Sequence, residues 1–212
     1  AVAKIYYTKA GSAQYYVKHA QAYLSAQRYQ KFQRLHFEDD KLRCLAAGML
    51  LRKIFGEEKV ENIRFNAYGK PYIENGMFFS LAHSGEFVVL AVDASPVGID
   101  IELRKKREYM GIAGLSFHPK ELEQLQKSAD QEKMFYSLWV LKESFVKQKG
   151  VGFHMPLKSF YFDLSNGVIL HTQQQEKERL YFYLIDAFSG YMAALCTRSA
   201  FYDKTIEYIP LS

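Results

Sequence analysis

Two acidic motifs in the sequence contain the residue types that bind divalent metal ions. The first is Val97–Glu102, where Asp100 and Glu102 are separated by one isoleucine in an otherwise apolar segment. Side chains two residues apart in a β-strand point to the same face, so both carboxylates would share one face and the apolar side chains the other. Such a pair could give oxygen ligands to Mg²⁺, and a strand with a solvated acidic face fits the same pattern.

The second motif is Trp139–Lys147, where Trp139, Glu143 and Lys147 recur at every fourth residue and would share one face of a helix. Glu143 and Lys147 could also be an ordinary pair of opposite charges on a helix surface. Taken with the first motif, they add a third carboxylate and a cation. Together these groups could hold a metal ion and a substrate with phosphates.

Four further residues could bind phosphate. Arg28, Lys31 and Arg43 lie on or near the first predicted helices, and His83 lies in a predicted turn between two strands. Taken singly, each is typical of a solvated charge or of a hydrogen-bonded structural residue. Taken together, they could hold a phosphate group.

The composition is that of a globular protein with a sizeable core. The chain has 212 residues, of which 49% are hydrophobic and 24% are charged, and no apolar run approaches the roughly 20 residues of a membrane span. The net charge of +5 favours an anionic partner, which could be nucleic acid, a phosphorylated small molecule or an acidic protein. The first residues read as a strand and not as a signal peptide. Cys44 and Cys196 lie in apolar segments, so we expect buried free thiols in a reducing, cytoplasmic compartment.

Hydrophobic periodicity predicts a mixed α+β fold. Helices are expected over residues 19–35 and 38–55, from His118-Pro119 onward, and over 131–149, where Gly150 would end the last of them. Strands are expected over 63–65, 78–82, 87–93 and 97–102, and the segment from Phe160 onward is mostly strand-like.

A weak internal similarity suggests that the chain consists of two related parts. Ser84–Val92 resembles Ser189–Thr197, and a long predicted helix precedes each segment. A duplicated α+β unit would explain this, and a coincidence of strand composition would as well. We expect an N-terminal half over residues 1–103, a linker region over 104–116 and a C-terminal half over 117–212.

The combination of motifs resembles the 4′-phosphopantetheinyl transferases, in particular the type that activates surfactin synthetase. The resemblance starts at Asn66, extends more weakly to the N-terminal helices, and is most specific in the two acidic motifs, in this order and at this spacing. The segments that carry it are Tyr68–Pro71, Phe79–Gly85, Gly98–Glu102, Trp139–Lys147 and Gly150–Phe160.

The resemblance implies a fold and a reaction. The fold would be a monomer of two similar α+β halves, related by pseudo-twofold symmetry, with the active site at their junction. The enzyme would move the 4′-phosphopantetheine arm of coenzyme A to a serine of an apo acyl or peptidyl carrier protein and release adenosine 3′,5′-bisphosphate. It would require Mg²⁺, with Mn²⁺ as a possible replacement.

The resemblance also implies roles for individual residues. Lys147 would contact the pyrophosphate, and either Glu143 or Glu121, which matches a further family glutamate near the metal, would take the serine proton directly or through water. Mg²⁺ would be held by Asp100, Glu102 and Glu143. The 3′-phosphate of coenzyme A would be bound by His83 with Arg28, Lys31 and Arg43. The adenine pocket would be lined by Tyr68, Gly69, Lys70 and Pro71.

The sequence departs from the family at Ala82, where many relatives have serine, and at Cys44, where some have threonine. Each departure removes a hydroxyl that could reach coenzyme A. The carrier proteins of this family are typically acidic, and the basic run Arg104–Arg107 could meet an acidic helix or could be a solvated linker. We expect neither nucleic acid nor a membrane as a partner.

Two other functions use the same residues. A metal-dependent phosphodiesterase or nuclease could use the acidic cluster and would hydrolyse nucleotides without a carrier protein. A non-catalytic module for binding acidic proteins would keep that binding after loss of Asp100.

Overall fold

The computed structural model describes residues 2–74, 77–173 and 179–212, apart from the side chain of Phe153. The mixed α+β class is confirmed. The helices are α1 (Ala20–Tyr23), α2 (Ala26–Arg34), α3 (Glu38–Phe55), α4 (Glu57–Glu61), α5 (Tyr109–Ser116), α6 (Pro119–Lys127) and α7 (Gln131–Lys149), with 3₁₀ segments at Ala10–His19, Gly152–His154 and Leu157–Ser159. The strands are β1 (Ala3–Lys9), β2 (Arg64–Phe65), β3 (Pro71–Tyr72), β4 (Phe78–Ser84), β5 (Phe87–Asp93), β6 (Gly98–Leu103), β7 (Phe160–Asp163), β8 (Ile169–Thr172), β9 (Tyr181–Ile185), β10 (Tyr191–Thr197) and β11 (Tyr202–Tyr208).

The two long helices have the predicted bounds because each has clear signals at its ends. Three acidic residues occupy the first turn of α3, where they complement the positive end of the helix dipole. Asp130 accepts a hydrogen bond from the N–H of Lys133 and so caps α7 at its start. Gly150 adopts a left-handed conformation, with a φ of 69°, and ends α7.

The prediction of one continuous helix over residues 19–35 is wrong. The chain instead forms the 3₁₀ segment Ala10–His19, then α1 and α2. The break falls at Ser25, which is extended and whose hydroxyl accepts a hydrogen bond from the Arg28 N–H, 3.4 Å away. A serine that caps α2 in this way competes with a continuous helix.

Two sheets and two long helices form the body of the protein. One sheet has the strand order β11-β1-β5-β4 and the other has the order β6-β10-β9. Along β5, Val88 and Leu90 pack with the core under α3, whereas Val89 and Ala91 pack with Ile99 of β6 between the sheets. On the far side, even-numbered residues of β10 pack against α7. The layers are therefore helix, sheet, sheet and helix.

The sheets cross the boundaries expected between the halves. Strand β6 pairs with β10, and β11 returns to pair with β1 in parallel. Residues 109–116 of the expected linker form α5, whose first N–H groups donate to the Glu108 carboxylate. Strands β5 and β10, which carry the internal similarity, each lie inside a sheet and pack against a long helix. The pseudo-twofold relation itself stays a prediction.

Within the described ranges, no helix combines the length and the apolar character that crossing a membrane requires.

Candidate active site

A glycine lets helix α7 lie directly on strand β6. A Cβ atom on Gly98 would come within 1.9 Å of the carbonyl oxygen of Ser144 and 2.5 Å of the backbone nitrogen of Gln148. Only glycine allows so close an approach of two backbones. Because Gly98, Asp100 and Glu102 share one strand face, this contact brings both carboxylates beside the α7 helix.

Three carboxylates and one ammonium group form the acidic part of the site. Asp100 is buried, while Glu102 and Glu143 are half-buried. The Nζ of Lys147 lies 2.7 Å from Oδ1 of Asp100. The Oδ2 of Asp100 is buried and has no hydrogen-bond partner among the described residues. An unpartnered, buried carboxylate oxygen is a costly arrangement that a bound cation would relieve.

Burial raises the pKa values of these three carboxylates, and neighbouring negative charge adds to the effect at Glu102 and Glu143. Burial raises the pKa of Glu143, and the charges of Asp100 and then Glu102 raise it further against the lowering effect of Lys147. Burial and the charge of Asp100 raise the pKa of Glu102, opposed by a hydrogen bond from Ser84. Burial raises the pKa of Asp100, and Lys147 opposes this. The electrostatics therefore suit a divalent cation.

The described residues do not, however, form a finished metal centre. In the ranges 2–74, 77–173 and 179–212, no three His, Cys, Asp or Glu side chains have the arrangement of a coordination site. Like charges repel within the cluster, and Lys147 lies against one side of Asp100. The set of Asp100, Glu102 and Glu143 as Mg²⁺ ligands stays a prediction.

A cluster of cations surrounds His83 on the neighbouring strand. The pKa of His83 is lowered to about 4, first by desolvation in the cleft and then by the charges of Arg43, Lys147, Lys31 and Arg28, in that order. His83 is accessible to solvent but faces these charges. It follows that this region attracts anions and holds His83 neutral near pH 7.

Two of these cations are held by hydrogen bonds. Arg43 donates to the carbonyl oxygen of Gly85 (3.2 Å) and to the carboxylate of Asp40 (2.6 Å). Burial lowers the pKa of Arg28, and a hydrogen bond with the Cys44 sulfur opposes this. Cys44, the departure noted in the sequence, is therefore a neighbour of the Arg28 guanidinium.

One cleft of about 1150 Å³ joins the acidic and cationic clusters. Arg43 and Glu121 are not among the described residues that line it. The charge of Arg43 nevertheless lowers the pKa of His83, which does line the cleft. The other predicted site residues do line it: Arg28, Lys31, Tyr68, Gly69, Lys70, Pro71, His83, Asp100, Glu102, Glu143 and Lys147.

The turn before β3 is fastened to the end of α7. The Oδ1 of Asn66 accepts hydrogen bonds from the N–H groups of Tyr68 and Lys70, and its Nδ2 donates to the carbonyl of Gly150. The Nζ of Lys70 donates to the carbonyls of Val97 (3.1 Å), Lys147 (2.6 Å) and Gln148 (3.1 Å).

Two of those carbonyls belong to the last turn of α7, where carbonyl groups need donors. Burial lowers the pKa of Lys70 to about 8. The ammonium of Lys70 thus holds the site together, and Tyr68, Gly69 and Pro71 are the residues of this turn that remain for a ligand.

Glu121 lies apart from the other carboxylates, which corrects its predicted position near the metal. Its side chain is fully buried in the C-terminal core and accepts two hydrogen bonds from Lys142 Nζ, at 2.9 and 2.7 Å. It also accepts from the N–H groups of Phe162 and His118. The i,i+3 spacing of His118 and Glu121 is a capping-box signal that could have shown this structural role.

Sequence patterns missed a residue of the site that touches a predicted ligand. Strand β4 continues through Ser84, beyond the predicted end at residue 82. The Oγ of Ser84 donates to Oε2 of Glu102 (3.0 Å). The position of Ser84 directly after His83, a predicted site residue, was the signal in the sequence that could have indicated it.

Comparison with known proteins gives consistent matches. The family model of the 4′-phosphopantetheinyl transferase superfamily matches residues 96–196, which contain both acidic motifs. A 4′-phosphopantetheinyl transferase of Bacillus subtilis is 38% identical over 197 residues, which cover 88% of this chain and 87% of that protein. The transferase gsp of Aneurinibacillus migulanus is 35% identical over 181 residues, covering 82% of this chain and 76% of that protein.

A third relative, the transferase Sfp of Bacillus subtilis strain 168, is 30% identical over 198 residues, covering 89% of this chain and 88% of that protein. Among solved structures, the holo-[acyl-carrier-protein] synthase of Thermotoga maritima aligns with 48% of this chain and 61% of its own, with a TM-score of 0.39 and 19% identity.

Proposed function

The chain belongs to the 4′-phosphopantetheinyl transferase superfamily, and we propose that it transfers the phosphopantetheine arm of coenzyme A to a serine of an apo carrier protein. The serine oxygen bonds to the phosphorus that carries the pantetheine arm. The bond from this phosphorus to the bridging oxygen of the diphosphate breaks, and adenosine 3′,5′-bisphosphate leaves with that oxygen. The observation that carries the proposal is one cleft lined by a carboxylate cluster and a cation cluster, with Lys147 near both.

Asp100, Glu102 and Glu143 are the residues that would hold Mg²⁺, or Mn²⁺ in its place. The unpartnered Oδ2 of Asp100 among the described residues and the crowded negative charge support this set. A bound Mg²⁺ would supply positive charge that stabilises a diphosphate under attack.

The cation cluster fits the 3′-phosphate of coenzyme A. Arg28, Lys31 and His83 line the cleft, and the charge of Arg43 acts on His83. A neutral His83 can donate one hydrogen bond to a phosphate oxygen while the other cations supply charge. Tyr68 lines the same cleft and offers an aromatic ring for the adenine base.

Lys147 and Glu143 lie where bond breaking and proton transfer would occur. The Lys147 ammonium can move from Asp100 to a diphosphate oxygen and neutralise the charge that develops on the leaving phosphate. The raised pKa of Glu143 makes it a stronger base near neutral pH than an ordinary glutamate. A carboxylate that also binds a cation is a weaker base. The second route for the serine proton is therefore through a water molecule to Glu143. We assign the proton transfer to Glu143 and not to Glu121, because the Glu121 carboxylate is buried in an ion pair with Lys142.

The surface beside the cleft fits an acidic carrier protein. Residues 105–107 of the basic run are exposed and follow directly after β6. On α5, which follows this run, Leu115 is 82% exposed and also lines the cleft. Basic groups beside an exposed apolar side chain could guide and hold an acidic helix next to the site. We expect the enzyme to act on such carriers as a monomer.

Product analysis tests this function against its alternatives. The protein is incubated with coenzyme A and Mg²⁺, with and without an apo carrier protein, and the nucleotides are separated by chromatography. We expect adenosine 3′,5′-bisphosphate in proportion to the carrier that is modified, and intact coenzyme A when the carrier is left out. Hydrolysis of coenzyme A without a carrier would favour a phosphodiesterase, and carrier binding without any product would favour a binding module.

A further inference from the structure

Two serine hydroxyls join the two sheets at the active site. Strand β4 pairs with β5 in one sheet, and β6 pairs with β10 in the other. Where β4 and β6 meet, Ser80 Oγ accepts a hydrogen bond from the Ile99 N–H (3.1 Å) and Ser84 Oγ accepts one from the Leu103 N–H (3.0 Å). These hydroxyls satisfy backbone donors at the edge of β6 and set the distance between the two strands.

Among the described residues, Ser84 is the one of these two serines that also forms a hydrogen bond with a carboxylate. A hydroxyl has one proton and two lone pairs. Because Ser84 accepts from a backbone N–H, its own proton is free to donate to Oε2 of Glu102, 3.0 Å away. For Ser80, the described part of the chain shows the bond to Ile99 and none to a carboxylate.

We propose that Ser84 is a positioning residue that holds the carboxylate of Glu102 in place for the divalent cation. The inference rests on the proposed function of the carboxylate cluster. The negative charges of Asp100 and Glu102 repel, and the Glu102 side chain has several rotatable bonds with which to turn away. A hydrogen bond to a serine that is itself fixed to β6 restricts that movement. Partners that orient metal ligands in this way commonly set the affinity of a site.

The position of Ser84 also links the two clusters of the cleft. Neighbouring residues on a strand point to opposite faces, so His83 faces the cations while Ser84 faces β6. One short segment of β4 thereby fixes the phosphate-binding histidine relative to Glu102. A substitution of Ser84 is expected to weaken the binding of the cation more than the binding of the nucleotide.

The experiment measures the binding of Mg²⁺ without substrate. Thermal unfolding is followed while MgCl₂ is raised, with the metal removed beforehand by a chelator, for the wild-type protein and for Ser84→Ala, Ser84→Thr and Ser80→Ala. We expect Ser84→Ala to need about tenfold more Mg²⁺ for the half-maximal rise in Tm. Ser84→Thr, which keeps the hydroxyl, should respond like the wild type.

Ser80→Ala is the matched control, because it removes the same type of bridge to β6 without touching a carboxylate. It should lower Tm in the chelator but leave the half-maximal Mg²⁺ concentration unchanged. Transfer by Ser84→Ala should recover at high Mg²⁺, as expected for weakened binding of the cation.

The outcomes separate this inference from the function on which it rests. A wild-type protein whose Tm does not respond to Mg²⁺ would overturn the proposed metal site, and the inference with it. A wild type that responds while Ser84→Ala responds at the same concentration would overturn the role of Ser84 alone. An equal loss in Ser80→Ala would also overturn it, since sheet bridging would then be the cause.

Discussion

The ammonium of Lys147 lies 2.7 Å from one oxygen of Asp100, whereas the other oxygen of that carboxylate is buried with no hydrogen-bond partner among the described residues. One half of the carboxylate is therefore neutralised by the protein, and the other half is available to a cation. Because the Lys147 ammonium also acts on His83, it lies close to both clusters of the cleft. Lys147 can form an ion pair with Asp100 before substrate binds and with a phosphate group afterwards.

Replacing Lys147 by Met should separate these two roles. Without a divalent cation, the buried charge of Asp100 would lose its partner, and the free energy of unfolding should fall by about 2 kcal/mol, less than for a fully buried pair because Lys147 is partly exposed. Transfer should fall about 100-fold with Mg²⁺ present, because the diphosphate loses a positive charge. Urea unfolding in a chelator and steady-state kinetics measure the two effects.

Lys127→Met is the control for the stability effect. Lys127 pairs with Glu123, four residues earlier on α6, at an exposed position, so its loss should change the free energy of unfolding far less than Lys147→Met does. Equal effects of the two substitutions would contradict the role assigned to the ion pair of Asp100.

His83 predicts a specific pH dependence of stability. Its pKa lies near 4 in the folded protein, below the ordinary value of 6.5 that we assign to the unfolded chain. The folded state therefore binds fewer protons between these values, so the contribution of His83 is present above pH 6.5 and is lost as the pH falls towards 4. His83→Asn should lose less stability over this window than the wild type, as measured by urea unfolding at several pH values. Parallel curves for the two proteins would contradict the shifted pKa.

Gly98→Ala should separate α7 from β6. The added Cβ would fall 1.9 Å from the Ser144 carbonyl oxygen, so the helix must shift and the carboxylates of the two elements must move apart. We expect a loss of about 3 kcal/mol in the free energy of unfolding and a weaker response to Mg²⁺. Gly114→Ala, in helix α5 with nothing within 4 Å of the new Cβ, should leave stability unchanged or raise it by about 0.5–1 kcal/mol. Equal effects would show that the α7–β6 contact is not required.

The buried pair of Glu121 and Lys142 should act on folding and not on chemistry. Lys142→Met leaves the Glu121 carboxylate buried with two backbone donors and should lower the free energy of unfolding by about 3–5 kcal/mol. Glu121→Gln keeps an acceptor for Phe162 and should cost less. At a temperature where Glu121→Gln is folded, its turnover rate should stay within a few-fold of the wild type. If the folded variant instead turned over about 100-fold more slowly, Glu121 would be restored as a catalytic base.

Local signals predicted much of the framework of the site. Helices α3 and α7 and strand β5 have the bounds that their periodicity and turn residues indicated. The alternation of Asp100 and Glu102 correctly indicated a shared face. These features depend on residues close in sequence, so the sequence contains enough to predict them.

Contacts between distant segments were not predictable in this way. Nothing in β11 indicates that it pairs with β1, and nothing near Lys70 indicates that its ammonium binds carbonyls of α7. The same holds for Glu121, whose partner Lys142 lies on another helix. Each of these depends on how the layers pack, and motif matching assigns a role to a residue without knowing its neighbours.

The most direct test of the proposed function measures the mass of an apo carrier protein after incubation with coenzyme A, Mg²⁺ and the enzyme. Wild-type protein should add one phosphopantetheine arm, and removal of Mg²⁺ by a chelator should prevent the addition. Asp100→Asn, shown to be folded by circular dichroism, should add none over the same time. Transfer by folded Asp100→Asn at the wild-type rate, or transfer that continues in the chelator, would contradict the central role of the carboxylate cluster.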